Sequence, residues 1–294
     1  MDFKTIIENK RFEEERSLYN LEDALVSGCK FEGEADGESP LKEARCITVK
    51  DTSFALRYPL WHVQGFSLDN VSMNNLCRAA LWYSKDGKID NSYLHGPKVI
   101  RECDNVTINS CDIESSEFGW YSRDIFLINS NLVSEYPFLG SKDIKIDNSN
   151  ISGKYSFQYT SDVEVRDSVI DTNDSFWHAK NVVVKNSTII SEYLGWYSDG
   201  LTLINCKIIG PQPLCYAKNL KLVNCTLENA NLSFEYSDVS AIINGEIESI
   251  KNPLSGTITV DSVKEVINEG SVYKSSATLY IVNNNKIINF GKKE

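Results

Sequence analysis

Four residues in the first half of the chain, His62, Arg101, Glu102 and Glu117, have the side chains that acid–base chemistry needs. An arginine or histidine can take a proton from the carbon beside a carboxylate, and a pair of glutamates can act as the acid and base that cleave an acetal. Arg57, Arg78 and Lys98 crowd the same region. Ion pairing, Arg101 with Glu102 above all, accounts for the same residues without any reaction. A second set is aromatic. Five tryptophans, Trp61, Trp82, Trp120, Trp177 and Trp196, are each followed by His62, Tyr83, Tyr121, His178 or Tyr197, and Tyr159 holds the corresponding place after Gln158. Such rings join a flat apolar face to a polar tip, which is what the face and hydroxyl rim of a pyranose require.

The surrounding sequence shows what positions these residues. "LGWYSDGLTLINC" from Leu194 repeats the form of "FGWYSRDIFLINS" from Phe118, "ALWYSKDGKIDNS" from Ala80 and "FWHAKNVVVKNS" from Phe176. An anchor residue closes each copy: Gly28, Asp51, Asn70, Asn91, Ser110, Asn129, Asn148, Asp167, Asn186, Asn205 and Asn224. From Asn91 to Asn224 every step is 19 residues. Four and two residues before the anchor stand apolar pairs such as Ile125/Leu127 and Val182/Val184, the alternation of a strand with one buried face. One more apolar residue follows three after it, and a turn former such as Asp86, Asp124 or Asn181 stands five before it.

A rung of about 19 residues is too short for a strand–helix–strand crossover and buries its apolar side only against copies above and below. The expected fold is therefore all-β: a right-handed parallel β-helix, or β-solenoid, of roughly 12 to 14 rungs with irregular caps at both ends. One domain over 1–294 is expected, with an N-terminal cap over 1–23, regular rungs over 24–247 and irregular rungs or cap over 248–294. Insertions at 33–44 and between Asn70 and Asn91 lengthen two steps to 23 and 21 residues, and their loops are candidates to overhang a face.

Stacked on this period, the residues ten and seven before the anchor, Leu60 to Leu214 and Val63 to Ala217, read as interior. Two inward columns three apart require a bend between them, which turns the tryptophans and the following Tyr/His column outward. Trp61, Trp82, Tyr83, Trp120, Tyr121, Tyr159, Trp177, His178, Trp196 and Tyr197 would then line a groove along the coil; the alternative is an aromatic ladder buried in the core or under a loop. A polar column twelve before the anchor (Tyr58, Lys98, Glu117, Tyr136, Tyr155, Asp174, Tyr193) would border it. Glu102 and Glu117 lie four columns apart on adjacent rungs, about 12 Å along a straight strand, so only a bend would bring them together.

Bulk composition narrows the partners. Asp and Glu outnumber Lys and Arg 41 to 30, a net charge of −11, with no basic run to follow a phosphate backbone. Nucleic acid and membrane are not expected partners. The start, "MDFKTIIENKRFEEER", lacks the features of a signal peptide, no run approaches the roughly 20 apolar residues of a membrane span, and a cytoplasmic location is expected. Eight cysteines read as free buried thiols, with Cys111, Cys206 and Cys225 in the core. Asp124, Asp143 and Asp162 form a carboxylate row, but they read as turn formers flanked by Arg123, Lys142 and Lys180, so no metal or other cofactor is expected.

The segments "DGESPLKEA", "LRYPLWH", "LCRAALWYS", "EFGWYS", "SEYPF", "KYSFQY", "FWHAKNV", "EYLGWYS", "QPLCYAKNL" and "FEYSDV" resemble an uncharacterised bacterial family, a domain of unknown function. Its members are single-chain right-handed parallel β-helices of the pectate-lyase-like superfamily. The resemblance runs to about residue 255 and implies the fold, but no reaction or ligand. The superfamily suggests carbohydrate by analogy of fold alone. The expectation is a carbohydrate-binding or carbohydrate-active protein, with polysaccharide lyase and glycoside hydrolase as the reactions open to it and an oligosaccharide or glycoconjugate as partner. The alternative is a non-catalytic scaffold whose aromatic face docks a protein or a second copy of the chain as a homodimer.

Overall fold

The computed structural model describes residues 3–33 and 38–291. The chain is an all-β, right-handed parallel β-solenoid of about 14 turns with rungs of about 19 residues, and no helix occurs among the described residues. Two compact units, Met1–Asn150 and Ile151–Glu294, divide it.

In the first unit the principal ladder runs through Thr5–Glu8, Glu22–Ser27, Arg45–Lys50, Gln64–Asp69, Lys85–Asp90, Asp104–Asn109, Arg123–Ile128 and Lys142–Asp147, all parallel. The alternation read from the sequence is the burial pattern. Ile125 and Leu127 are buried while Arg123 and Asp124 face solvent. A second ladder of short strands follows each anchor: Lys30–Phe31, Ser53–Phe54, Ser72–Met73, Tyr93–His95, Asp112–Glu114 and Asn131–Ser134. Pairing stays in register across the lengthened steps, Glu22 opposite Arg45 and Gln64 opposite Lys85, so the extra residues are accommodated outside the strands.

Of the insertion at 33–44, residues 34–37 lie outside the described residues. The remainder does not overhang. Leu41 and Ala44 are fully buried, and the Leu41 amide donates to the Pro59 carbonyl at 3.0 Å, one rung along.

In the second unit a principal ladder runs through Ser161–Arg166, Lys180–Lys185, Asp199–Ile204 and Leu220–Glu228. The pattern then changes. Asp238–Lys251 and Ser255–Ile267 pair as two long parallel strands with a register irregularity between Ile243 and Glu246, and a hairpin of Thr278–Ile281 with Lys286–Asn289 follows.

Each regular rung has at least four left-handed residues, three of them in columns read from the sequence. The anchors (Asn70, φ 53°; Asn186, φ 51°) and the turn formers five before them (Asp124, φ 50°; Asn181, φ 53°) are Asn and Asp types that tolerate this conformation. The third corner is the Tyr/His column itself, with Tyr83 at φ 58° and His178 at φ 53°.

A parallel ladder cannot satisfy every amide where the chain bends, and the buried Ser/Thr/Cys columns beside two of the corners do so instead. The Cys103 amide donates to Ser122 Oγ at 3.1 Å and that of Ser122 to Ser141 Oγ at 3.2 Å. After the anchor, Cys111 N–H donates to Ser130 Oγ at 3.0 Å and Ser130 N–H to Ser149 Oγ at 3.1 Å. Thiols take the same position, accepting from the rung below at Cys103 and Cys111, and burial first of all pushes them up to about 12 and about 11. Such thiols do not act as nucleophiles near neutrality. Cys46 corrects the expectation of uniform burial: seven of the cysteines are buried and this one is exposed.

Candidate functional site

In the first unit a third, minimal ladder places the early charged residues. Leu81–Trp82 pairs with Ile100–Arg101, and Arg101 bridges on to Trp120. Trp82, Arg101 and Trp120 are thus in register on successive rungs. The guanidinium carbon lies 5.4 Å from each indole centroid and 5.9 Å from that of Tyr121. Glu102, in the left-handed corner at φ 49°, folds back so that its Oε1 accepts from Arg101 Nε at 3.4 Å and Trp82 Nε1 at 3.3 Å. Glu117 Oε2 takes Arg101 Nη1 at 3.4 Å and Lys98 Nζ at 3.3 Å.

The corner therefore brings together the two carboxylates that a straight strand would hold apart, and it does so on one guanidinium. Two cations and two anions form a closed, neutral cluster. Its contacts, 3.3–3.4 Å long, are shared between half-buried groups. His62 is not part of it: its ring is exposed and lies 5.0 Å from Tyr83 and 5.5 Å from Trp61.

The interior column ten before the anchor is buried as the period implies, Leu60, Leu81, Ile100, Phe138, Phe157, Phe176 and Leu214 being at or near 0% exposure. The aromatic pairs that follow it face outward in two grades. All five tryptophans are half-buried, whereas Tyr83, Tyr121, Tyr159 and Tyr197 are 41%, 55%, 60% and 43% exposed.

The expectation of open ring faces needs correction. In the first unit Trp61 stacks on Trp82 at 6.0 Å, Trp82 on Tyr83 at 5.2 Å, and Lys42 Nζ lies 4.5 Å over the Trp61 ring. In the second unit Tyr159 stacks on His178 at 5.2 Å, His178 on Tyr197 at 5.0 Å and Tyr197 on Tyr216 at 4.9 Å, with planes within 14° of parallel. A ladder that repeats every rung places like rings one above another, so they cover one another's faces and present edges, phenol hydroxyls and an imidazole to solvent. Two of the indoles behind are fixed by carbonyls: Trp120 Nε1 donates to that of Tyr136 at 2.6 Å and Trp196 Nε1 to that of Gln212 at 2.7 Å.

Beside Trp177 and Trp196 the second unit holds an acidic group. Asp174 is raised from the usual carboxylate value by burial and then by Glu192, and one of its oxygens is buried without a partner. Tyr193 packs edge-on against Trp196 at 5.0 Å, and its hydroxyl is raised by hydrogen bonding to Glu192. Position in the polar column was visible in the sequence, but not that Glu192, one residue outside the column, meets Asp174.

Several solved structures are similar in winding. The pneumococcal surface adhesin PfbA of Streptococcus pneumoniae is 11% identical over 81% of this chain and 76% of its own, with a TM-score of 0.43. The tailspike Gp54 of Acinetobacter baumannii bacteriophage AP22, solved with an A. baumannii capsular saccharide, is 14% identical over 89% of this chain and 45% of its own, TM-score 0.32. The A-module of the mannuronan C-5 epimerase AlgE4 of Azotobacter vinelandii is 11% identical over 95% and 86%, TM-score 0.29. No curated protein matches the chain. A family model does, over residues 5–281, and the chain accordingly belongs to the family described as "Protein of unknown function (DUF3737)".

Proposed function

We propose that the protein binds a linear, hydroxyl-rich saccharide along its aromatic flank and does not transform it. The observation that carries this is the row Tyr159, His178, Tyr197 and Tyr216, with ring spacings of 4.9–5.2 Å. Aromatic edges are the positive part of the ring quadrupole and attract oxygen, and each rung adds a hydroxyl or ring nitrogen that can hydrogen-bond. A polymer of hydroxylated rings lying along the row meets one such tip per rung. The rings are already held by their neighbours, so little side-chain entropy is lost on binding.

Catalysis finds less support. The Arg101 cluster is closed on itself, and His62 stands apart from it.

Titration with neutral oligosaccharides, followed by quenching of Trp177 and Trp196 fluorescence, tests the proposal. Tyr197→Ala should weaken binding by about tenfold. No response to any saccharide on a glycan array would reject it.

Self-association is a second reading, favoured by the covered ring faces, because a flat wall of rigid Tyr edges also suits a protein surface. A concentration-dependent dimer that Tyr159→Ala and Tyr197→Ala dissociate would select it.

A further inference from the structure

On the first unit, a groove of about 620 Å³ follows the anchor corner over five rungs, away from the residues assigned to the flank. That volume lies within the range of small-molecule sites, about 300–1,000 Å³. One ring lines it. Tyr93, 46% exposed, stands in register with Ser72 below and Asp112 above, and Ser72 is itself in register with Ser53. The small serines leave open, on two rungs, the space that Tyr93 fills on its own.

Tyr93 differs from the flank tyrosines in what covers it. Among the described residues no aromatic ring stacks on it from the neighbouring rungs, and its single ring partner is His95, two residues on in the same strand, at 3.5 Å between centroids. His95 is held in turn by Glu114, whose Oε2 lies 3.3 Å from Nδ1. The Glu114–His95 pair thus fixes the phenol ring from one side, and the other side gives onto the groove.

Around that ring the polar groups are those that recognise hydroxyls. The amide ladder is irregular here: Asn70 donates to Asp51 Oδ1 at 2.6 Å, but Asn91 donates sideways to Asp69 Oδ1 at 3.0 Å rather than to Asn70. Among the described residues, the side-chain oxygens of Asn70 and Asn91 receive no hydrogen bond and Asp112 makes no ion pair. Two carboxylates, Asp51 and Asp112, against the one ammonium of Lys30 leave the lining with an excess negative charge.

We propose that this groove is a separate binding site for a neutral or amino-bearing saccharide, with Tyr93 as the ring platform and Asp51, Asn70, Asn91 and Asp112 as hydroxyl acceptors. It stands independently of the flank reading. A half-exposed aromatic ring with side-chain oxygens lining the same groove is the combination a pyranose needs, and the excess carboxylate selects against uronates.

Calorimetric titration of the intact protein with cellotetraose, a chitosan tetramer and an oligogalacturonate tests it, with tryptophan fluorescence recorded in parallel. All five tryptophans lie on the flank and none lines the groove. Measured in Tyr197→Ala, where the flank site is weakened, the expected result is binding of the neutral or amino sugar without tryptophan quenching, weakened by about tenfold when Tyr93→Ala is added and retained within about threefold when Tyr93→Phe is added instead. Ser72→Phe, which fills the space beside the ring, should block binding while leaving the urea midpoint close to that of the parent. In that same background, heat that persists with both Tyr93→Ala and Ser72→Phe, or that is already lost in Tyr197→Ala alone, would place the ligand elsewhere and overturn the proposal. So would tighter binding of the oligogalacturonate, or the absence of heat with all three sugars at millimolar concentration.

Discussion

Arg101 is the residue on which most of the early flank depends. It fills the register position between Trp82 and Trp120 and neutralises Glu102 and Glu117. Arg101→Ala should lower stability by about 1–2 kcal/mol, because it leaves two half-buried carboxylates with one cation and removes a filler between indoles. Arg101→Lys should recover only part of this, since one ammonium cannot reach both carboxylates with separate nitrogens. Urea unfolding with an unchanged slope is the measurement. Asp174 works in the opposite direction. Its carboxyl is raised by burial and by Glu192, so the folded chain holds that proton more tightly than the unfolded chain does. Stability must then fall as pH rises from the ordinary carboxylate value through the raised one, and below that window the penalty is absent. Asp174→Asn is therefore expected to raise the urea midpoint at about pH 7 and to have no stabilising effect at about pH 3. A gain of equal size at both would show that shape or hydrogen bonding, not charge, is responsible.

At the scale of the rung, the bends are the elements whose chemistry is most specific. Ser130 Oγ accepts the Cys111 amide and donates to the Ile128 carbonyl at 2.7 Å, so it joins two rungs and closes its own turn. Ser130→Ala strands a buried N–H and should cost about 1–3 kcal/mol. Ser130→Cys should cost less, since thiols already occupy this column at Cys111, Cys206 and Cys225 and accept the amide from the rung below. Thermal midpoints of the two variants against the parent decide this. The period made the columns legible: strand faces, anchors, buried Ser/Cys columns and the outward aromatic pair all follow from stacking residues every 19. It could not show the direction of a side chain within its column. Whether Tyr197 offers its face or lies flat on His178 depends on ring torsions and on the identity of the ring above. The meeting of Glu102 with Glu117 depends on a left-handed corner at a glutamate, a conformation that residue type does not announce. The groove at Tyr93 escaped for a related reason, because what creates it is the smallness of Ser53 and Ser72, and a small residue carries no signal of its own.

The molecule as a whole carries a formal charge of −11, while the assigned cluster on the flank, Lys98 and Arg101 against Glu102 and Glu117, is neutral. Local recognition and the long-range field therefore separate. A neutral saccharide meets ring edges and hydroxyls at contact distance and does not respond to the field, whereas an anionic polymer is repelled on approach over a screening length of about 10 Å at 0.1 M salt. Affinity for a neutral oligosaccharide should accordingly change less than about twofold between low and high salt. An oligouronate should bind more weakly at low salt and improve as salt is added, the reverse of the steep loss that follows counterion release from a polyanion bound by basic residues. Calorimetric titrations of both sugars at several ionic strengths distinguish these outcomes. An uronate that binds best at low salt would require a cationic surface dominating the field at its site, and the neutral flank cluster and acid-lined groove described above would then both be the wrong places to look for it.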